Sequence, residues 1–223
     1  MEFGAAIARR WLELSVERVT LHAAELTALD AAIGDGDHGI NLQRGFAAIE
    51  THLAAHPPAD PQTSAATLLR LAGATLVSTV GGASGPLYGT FFMELAAGLD
   101  GDGQLMPVPS GTALQAAVAA VARRGRSQRG EKTMLDALGP AADAWREAAA
   151  AGDSLRACAD AAQHAADSGR AATGPLVATK GRASYLGERS RGHIDPGATS
   201  ATMLIGALAD AIAQVGEADG VSR

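Results

Sequence analysis

Apolar residues recur at spacings of three and four along most of this chain, the period of a helix with one buried face. Leu12, Val16, Val19, Ala23 and Leu26 form the first such stripe, with Glu13, Glu17, Arg18 and Glu25 off it. It predicts a helix that ends near Ala28, where Gly34, Gly36 and Gly39 break the pattern. Asn41 is placed to cap a second helix through Phe46 and Ile49 towards Leu53. His56 to Pro61 reads as a turn, and Ser64 to about Val80 as a further helix. Pro86 fits the first position of a helix that reaches Leu99, and Asp100-Gly-Asp-Gly103 is a surface turn. Ser110 would cap a helix ending near Arg124, followed by the polar loop Gly125 to Gly130. Lys132 to Leu138 reads as a short helix, then Pro140–Ala150 and Ser154–Ser168 as alanine-rich helices joined at Gly152. Thr179–Gly197 is a long loop before a last helix from Ala198 to about Val215. Alternating runs of β-branched and aromatic residues are missing. The expected fold is all-α: a single domain over residues 1–223, an antiparallel bundle or barrel of about eight helices.

Composition narrows this further. With 223 residues, 47% hydrophobic and 19% charged, the chain is long and apolar enough to bury a core unaided. Aromatics are only 4% and alanine is abundant, which suits closely packed helices. A net charge of −6 argues against nucleic acid or an anionic membrane as partner, since both need a basic face. The single cysteine, Cys158, can form no internal disulfide and reads as a small buried hydrophobe. The basic pair Arg9-Arg10 follows the short apolar start, the reverse of a signal peptide, and no uncharged run approaches the ~18 residues of a membrane span. A cytoplasmic protein is expected.

The candidate chemistry begins at Asp30, Asp35 and Asp37. Three short carboxylates so close repel one another, and a hard divalent cation such as magnesium removes that cost. An ordinary Asp/Gly-rich turn with solvated charges is the plain alternative. An EF-hand is excluded: counted from Asp35, the twelfth position is Phe46 and not a bidentate Glu. Magnesium is usually held by few carboxylates plus substrate phosphate, so a phosphate ligand is expected. Gly81-Gly-Ala-Ser-Gly-Pro86 offers an anion a close backbone approach and the N–H groups of a helix start, with Ser84 as hydroxyl donor. By itself it is equally a helix–helix turn. His38-Gly39-Ile40-Asn41 offers similar N–H groups beside the aspartates. In the basic loop Lys180 to Arg191, Arg182 suits a phosphate in fork geometry, whereas Arg189 and Arg191 fit solvated charges as well. His193-Ile-Asp-Pro-Gly197 is a tight turn whose backbone suits a nucleobase or ribose.

Five runs then combine. Leu29-Asp-Ala-Ala-Ile-Gly-Asp-Gly-Asp-His-Gly39, Gly81-Gly-Ala-Ser-Gly-Pro-Leu87, Gly130-Glu-Lys-Thr-Met-Leu-Asp136, Ala178-Thr-Lys-Gly-Arg-Ala-Ser184 and Asp195-Pro-Gly-Ala198 closely resemble the nucleotide-binding L subunit of dihydroxyacetone kinases, in family order. The resemblance implies an eight-helix barrel with ADP or ATP at one end. It implies that Asp30, Asp35 and Asp37 hold two magnesium ions that bridge the phosphates. His38, Gly39, Ile40 and Asn41 match the phosphate-binding helix start, and Ala83, Ser84 and Gly85 the glycine-rich loop. Gly125 and Met134 would line the adenine pocket, although Gly125 to Gly130 departs from the usual loop. Arg182, Asp195, Pro196 and Gly197 match further nucleotide contacts.

The resemblance also implies partners. Dihydroxyacetone would sit on a K subunit, bound through that subunit's own histidine, and no residue here is assigned as a base. In one branch of the family the L and K domains are fused and ATP is consumed. In the other, L stands alone and its resident ADP is rephosphorylated by a phosphotransferase-system subunit, M. The chain read as a lone L domain favours the second branch; a homodimer is also expected. An ATP-dependent L subunit for dihydroxyacetone or for erythrulose is the alternative, and a non-catalytic nucleotide-binding regulator is the rival of another class.

Overall fold

The computed structural model describes residues 3–55, 63–99 and 106–221, and the turns read at 56–61 and 100–103 lie outside them. Among the described residues there are helices and no strand. The order is α1 (Ala5–Leu21), α2 (Ala23–Ile33), α3 (His38–Ala55), α4 (Ala65–Thr79), α5 (Ser84–Gly98), α6 (Pro107–Gly125), α7 (Leu135–Ala150), α8 (Leu155–Ala172), a 3-10 segment Arg182–Ser190, and α9 (Pro196–Val221).

Eight of these close a ring. Each of α3 to α8 packs on the next in chain order, α9 packs back on α1, and α1 packs on α3. The ninth, α2, continues α1 past a break at His22 and leans on α3 and α9. The apolar stripe runs straight through that break, which is why the two read as one helix in the sequence. The break carries Asp30 onto the last turn of α2, so the aspartate belongs to a helix and not to the loop after it.

Other boundaries moved for local reasons. Asn41 caps nothing: α3 starts at His38, where the Asp30 side chain accepts the N–H groups of Asp37 and His38. Pro107 starts α6, so Ser110 lies inside it and bonds back to the Met106 carbonyl at 2.9 Å. Lys132–Leu138 and Pro140–Ala150 merge into α7, which tolerates Pro140 in its second turn. There the Asp136 carbonyl lacks the N–H it would bond four residues on, and Gly169 of α8 packs against it; a Cβ on Gly169 would lie 2.0 Å from that oxygen. Ser64 and Ser154, read as the first residues of their helices, cap α4 and α8, accepting from Thr67 N–H at 3.0 Å and Ala157 N–H at 3.2 Å.

The core is uneven around the ring. On one side Trp11 of α1 meets Phe91 and Phe92 of α5, with ring centroids 6.5 and 5.3 Å apart, and its indole N–H donates to the Leu204 carbonyl at 2.8 Å. On the other side α6 to α9 meet largely through alanine, including Ala117, Ala141, Ala162, Ala166 and Ala201. Small side chains let those backbones approach, and Trp11, Phe91 and Phe92 fill the space that remains opposite. Cys158 is fully buried, as expected for a small hydrophobe. The last helix is apolar and long enough to pass for a membrane span, yet 72% of that stretch is buried in this core.

Candidate functional site

Every second connection of the ring reaches one cavity of about 660 Å³, which shows that successive helices run antiparallel. The α2–α3 connection brings Asp30, Asp35, Asp37 and His38; α4–α5 brings Gly81 to Ser84; α6–α7 brings Lys132 to Met134; α8–α9 brings Thr179 to Tyr185 and Asp195 to Gly197. Residues 150 positions apart in sequence share this wall because a ring of short-linked helices collects alternate loops at one end.

The three aspartates each offer an oxygen within 4.8 Å of the others. They are not equivalent. Asp30 is buried, and its Oδ2 accepts the backbone N–H groups of Asp37 at 2.9 Å and His38 at 3.1 Å. That fixes its carboxylate and leaves Oδ1 facing Gly34, where a Cβ would lie 2.1 Å from it. Asp35 and Asp37 are exposed, and Asp35 is paired with the Arg182 guanidinium at 3.0 Å. One preorganised oxygen and two accessible carboxylates, with room kept by a glycine, fit a hard divalent cation that retains open positions for phosphate.

His38 is buried in a chain of side-chain hydrogen bonds. Its Nδ1 lies 3.1 Å from Ser84 Oγ and its Nε2 lies 2.9 Å from Ser200 Oγ, which in turn is 2.6 Å from the Tyr88 hydroxyl. Ser200 also donates to the Gly197 carbonyl at 3.1 Å. Burial lowers the His38 pKa, opposed by the charges of Asp30 and Asp37. Its neighbours thus tie the start of α3, the glycine-rich loop and the start of α9 together.

A second polar group forms around Asp136, Asp195 and Lys132. Asp136 accepts from the N–H groups of Gly130 and, at 2.7 Å, Thr133. Asp195 accepts from Ala198 N–H at 2.6 Å and so caps α9. Burial pushes the Asp195 carboxyl up to about 7, with the Ala198 bond opposing and Asp136 adding to the shift. Lys132, 1% exposed, points its ammonium into backbone carbonyls of the α8–α9 connection.

Of the residues expected from sequence, Asp30, Asp35, Asp37 and His38 line the cavity, as do Ala83 and Ser84. So do Met134, Arg182, Asp195, Pro196 and Gly197. Gly39, Ile40, Asn41, Gly85 and Gly125 are not in its lining. Gly39 is pressed on α2, where a Cβ would lie 2.0 Å from the Ala23 carbonyl, and Gly85 on α4, 2.3 Å from the Val80 carbonyl. Ile40 is exposed, and Asn41 is buried with its side chain accepting from Arg44. Gly125 stands one layer back, its Cβ position 3.4 Å from Leu87, which does line the cavity. Arg191 donates to the Pro175 carbonyl at 2.8 Å and pairs with Glu188 at 3.1 Å, so it is a loop clasp. Sequence reasoning passed over Lys132, Tyr88 and Ser200. A lysine is expected outside and a tyrosine or serine in an apolar helix reads as packing, so only the oddity of Lys132 within Gly130-Glu-Lys-Thr-Met-Leu-Asp136 was a signal.

The profile of the DAK2 domain matches residues 32–210 of this chain. The chain belongs to the DAK2-domain family. The chain is 41% identical to the ADP-binding subunit DhaL of a PEP-dependent dihydroxyacetone kinase of Listeria innocua, over 90% of this chain and 93% of the relative. It is 38% identical to the corresponding Escherichia coli subunit over 89% and 93%. The fold is similar to part of the crystal structure of the dihydroxyacetone kinase of C. freundii, at a TM-score of 0.70 and 29% identity; 92% of this chain aligns with 34% of that one. The same kinase in complex with AMP-PNP and Mg2+ superimposes with a TM-score of 0.69.

Proposed function

We propose that this DAK2 domain, residues 1–223, is the ADP- and magnesium-binding subunit of a dihydroxyacetone kinase, and that it passes a phosphoryl group through its bound nucleotide to dihydroxyacetone held on a K subunit. The observation that carries this reading is the Asp30–Asp35–Asp37 cluster opening into a cavity of nucleotide size, about 660 Å³, beside the start of α3 and a glycine-rich turn. The relatives named as ADP-binding subunits support it along nearly their whole length.

The residues divide the work. Asp30 Oδ1, Asp35 and Asp37 hold the metal, and the expected number of ions is two. Magnesium, when bound, neutralises charge on the transferring phosphoryl group. The first-turn N–H groups of Gly39 and Ile40 and the turn at Ala83 and Ser84 hold phosphate oxygens in place. Arg182 leaves Asp35 and turns its guanidinium to phosphate once a cation takes that carboxylate. Met134, with Leu87 backed by Gly125, gives the adenine an apolar wall. The backbone of Asp195-Pro196-Gly197 faces the ribose side. His38 keeps the phosphate-binding helix start and Ser84 in register and is not assigned as a base.

The phosphoryl donor proposed is a phosphotransferase-system subunit, M, acting on resident ADP, with the L subunit as a homodimer. Relatives named PEP-dependent or PTS-dependent at 36–42% identity favour this donor. A second reading, an ATP-dependent ketose kinase module, has its own support: an L-erythrulose 1-kinase of Mycolicibacterium smegmatis is 38% identical over 84% of this chain, which spans 32% of that relative. Native mass spectrometry of purified protein is expected to show retained ADP. Reconstitution with K is expected to give dihydroxyacetone phosphate from phosphorylated M and not from ATP. Turnover with ATP alone would transfer the protein to the second reading, and protein that binds no Mg-nucleotide would refute both.

A further inference from the structure

Two of the chain's 18 basic residues are lysines, Lys132 and Lys180; the other sixteen are arginines. Both lysines line the cavity, but Lys180 is half-buried on the basic loop while Lys132 is 1% exposed. The Lys132 ammonium donates to the carbonyls of Thr173 at 2.6 Å, Leu176 at 3.3 Å and His193, with Gly174 at 3.5 Å. An ammonium has three N–H donors, and four acceptors converge on it. It has none to spare for a phosphate.

All four acceptors are backbone carbonyls of one connection, between α8 and α9. Lys132 reaches them from another, between α6 and α7, and does so from a left-handed backbone at φ 63. That conformation is uncommon and costly for a residue with a Cβ, so the contact it permits is worth more than the strain. A second stitch joins the same two connections, Thr179 N–H to the Glu131 carbonyl at 3.3 Å. In a chain whose basic residues are otherwise nearly all arginine, lysine stands where carbonyl oxygens converge on one point. A planar guanidinium fork cannot address that arrangement, whereas a compact ammonium can. Carbonyls gathered around a point charge are the coordination that a bare monovalent cation takes in a protein.

We propose that Lys132 is a built-in monovalent cation, a positioning residue whose ammonium fastens the wall carrying Arg182 and Asp195 to the wall carrying Met134 and so fixes the width of the nucleotide cavity. Removing it leaves a carbonyl cage that a small free cation can enter.

The test uses the full chain with Lys132→Ala in tetramethylammonium chloride, then in ammonium or potassium chloride at equal ionic strength. Tetramethylammonium supplies charge without N–H donors and is too large for the cage. In tetramethylammonium the variant is expected to unfold at lower temperature and to bind Mg-ADP at least about tenfold more weakly. Ammonium or potassium is expected to restore most of both, with no such response in the wild type. Lys132→Met, which fills the channel with an apolar chain, is expected to lose affinity and not be restored. Equal behaviour in all three salts, wild-type affinity in Lys132→Ala, or failure to fold even in ammonium overturns the proposal. An amine-acylating reagent gives an independent check on the wild type: Lys180 is expected to label in the folded protein and Lys132 only on unfolding, and equal labelling rates rule out the cage. The ADP arm rests on the proposed function, but the unfolding and labelling arms do not. Cation-restored stability without any ADP binding would fault that function and leave the cage standing.

Discussion

The cluster Asp30, Asp35 and Asp37 and the pair Asp136 and Asp195 are all carboxylates at one end of one barrel, yet the chain treats them differently; of the pair, Asp195 lines the cavity and Asp136 is buried behind it. Asp136 gives its oxygens to the N–H groups of Gly130 and Thr133, and Asp195 caps α9 with Lys132 nearby. Those charges are answered by groups that cannot leave. Asp30 spends one oxygen in that way, Asp37 is exposed, and Asp35 leans on an arginine that is itself 69% exposed. Those charges are answered by solvent or by a side chain free to move away. Acidic groups satisfied by their own backbone build the cavity, and acidic groups left exchangeable are the ones available to a ligand.

The comparison breaks most visibly at Asp35. Asp35→Ala is expected to cut phosphoryl transfer by about 10²-fold or more and to abolish ADP retention in native mass spectra. Its thermal midpoint is expected to hold or rise, because one of three repelling carboxylates is gone. Near wild-type turnover would remove Asp35 from the metal site.

Asp136→Ala is expected to show the opposite pattern. The partly buried N–H groups of Gly130 and Thr133 lose their acceptor, at a cost of about 1–3 kcal/mol in urea unfolding. Binding of Mn2+ to the Asp30 cluster, followed by electron paramagnetic resonance, is expected to persist in the folded variant. A variant as stable as the wild type would show that Asp136 is not structural.

Asp195 sharpens the contrast through pH. Its carboxyl titrates near 3.8 when unfolded and is raised to about 7 by burial. Between those values the folded state keeps a proton that the unfolded chain has lost, so stability tied to Asp195 falls as pH rises from about 4 to about 7. Asp195→Asn keeps an acceptor for Ala198 and cannot ionise. Unfolding measured across that window is expected to show the variant gaining on the wild type by at most about 4 kcal/mol, and a parallel pair of curves would exclude the shift.

The smallest effect on stability is expected at Arg182. Its ion pair with Asp35 is exposed on both sides, so Arg182→Ala should change stability by less than about 1 kcal/mol. ADP affinity, measured by calorimetry with Mg2+, is expected to fall about tenfold through loss of a charge-assisted bond to phosphate. Unchanged affinity would confine Arg182 to its contact with Asp35.

The aspartates, Ser84 and Arg182 were legible in the sequence because charge and glycine spacing carry their chemistry locally. Gly39 and Gly85 were legible as small positions near an anion site, and each is also required by packing, since each meets a carbonyl of a neighbouring helix. A glycine in a motif does not state whether it makes room for a ligand or for the chain. Asn41 misled in the same way: a good capping residue was present, but an aspartate eight residues before His38 had already taken the helix start.

The helical period, the alanine content and the short polar connections by themselves determined an all-α domain, and the spacing of Asp30, Asp35 and Asp37 by itself determined a cluster of charge in need of a cation. Neither could fix which loops would meet. That was decided by closure of the ring, when α9 packed on α1 and gathered alternate connections at one end. Closure also decided that Lys132 would be buried. Its partners are carbonyls some forty to sixty residues away, and backbone acceptors leave no trace in the identity of the residues that bear them.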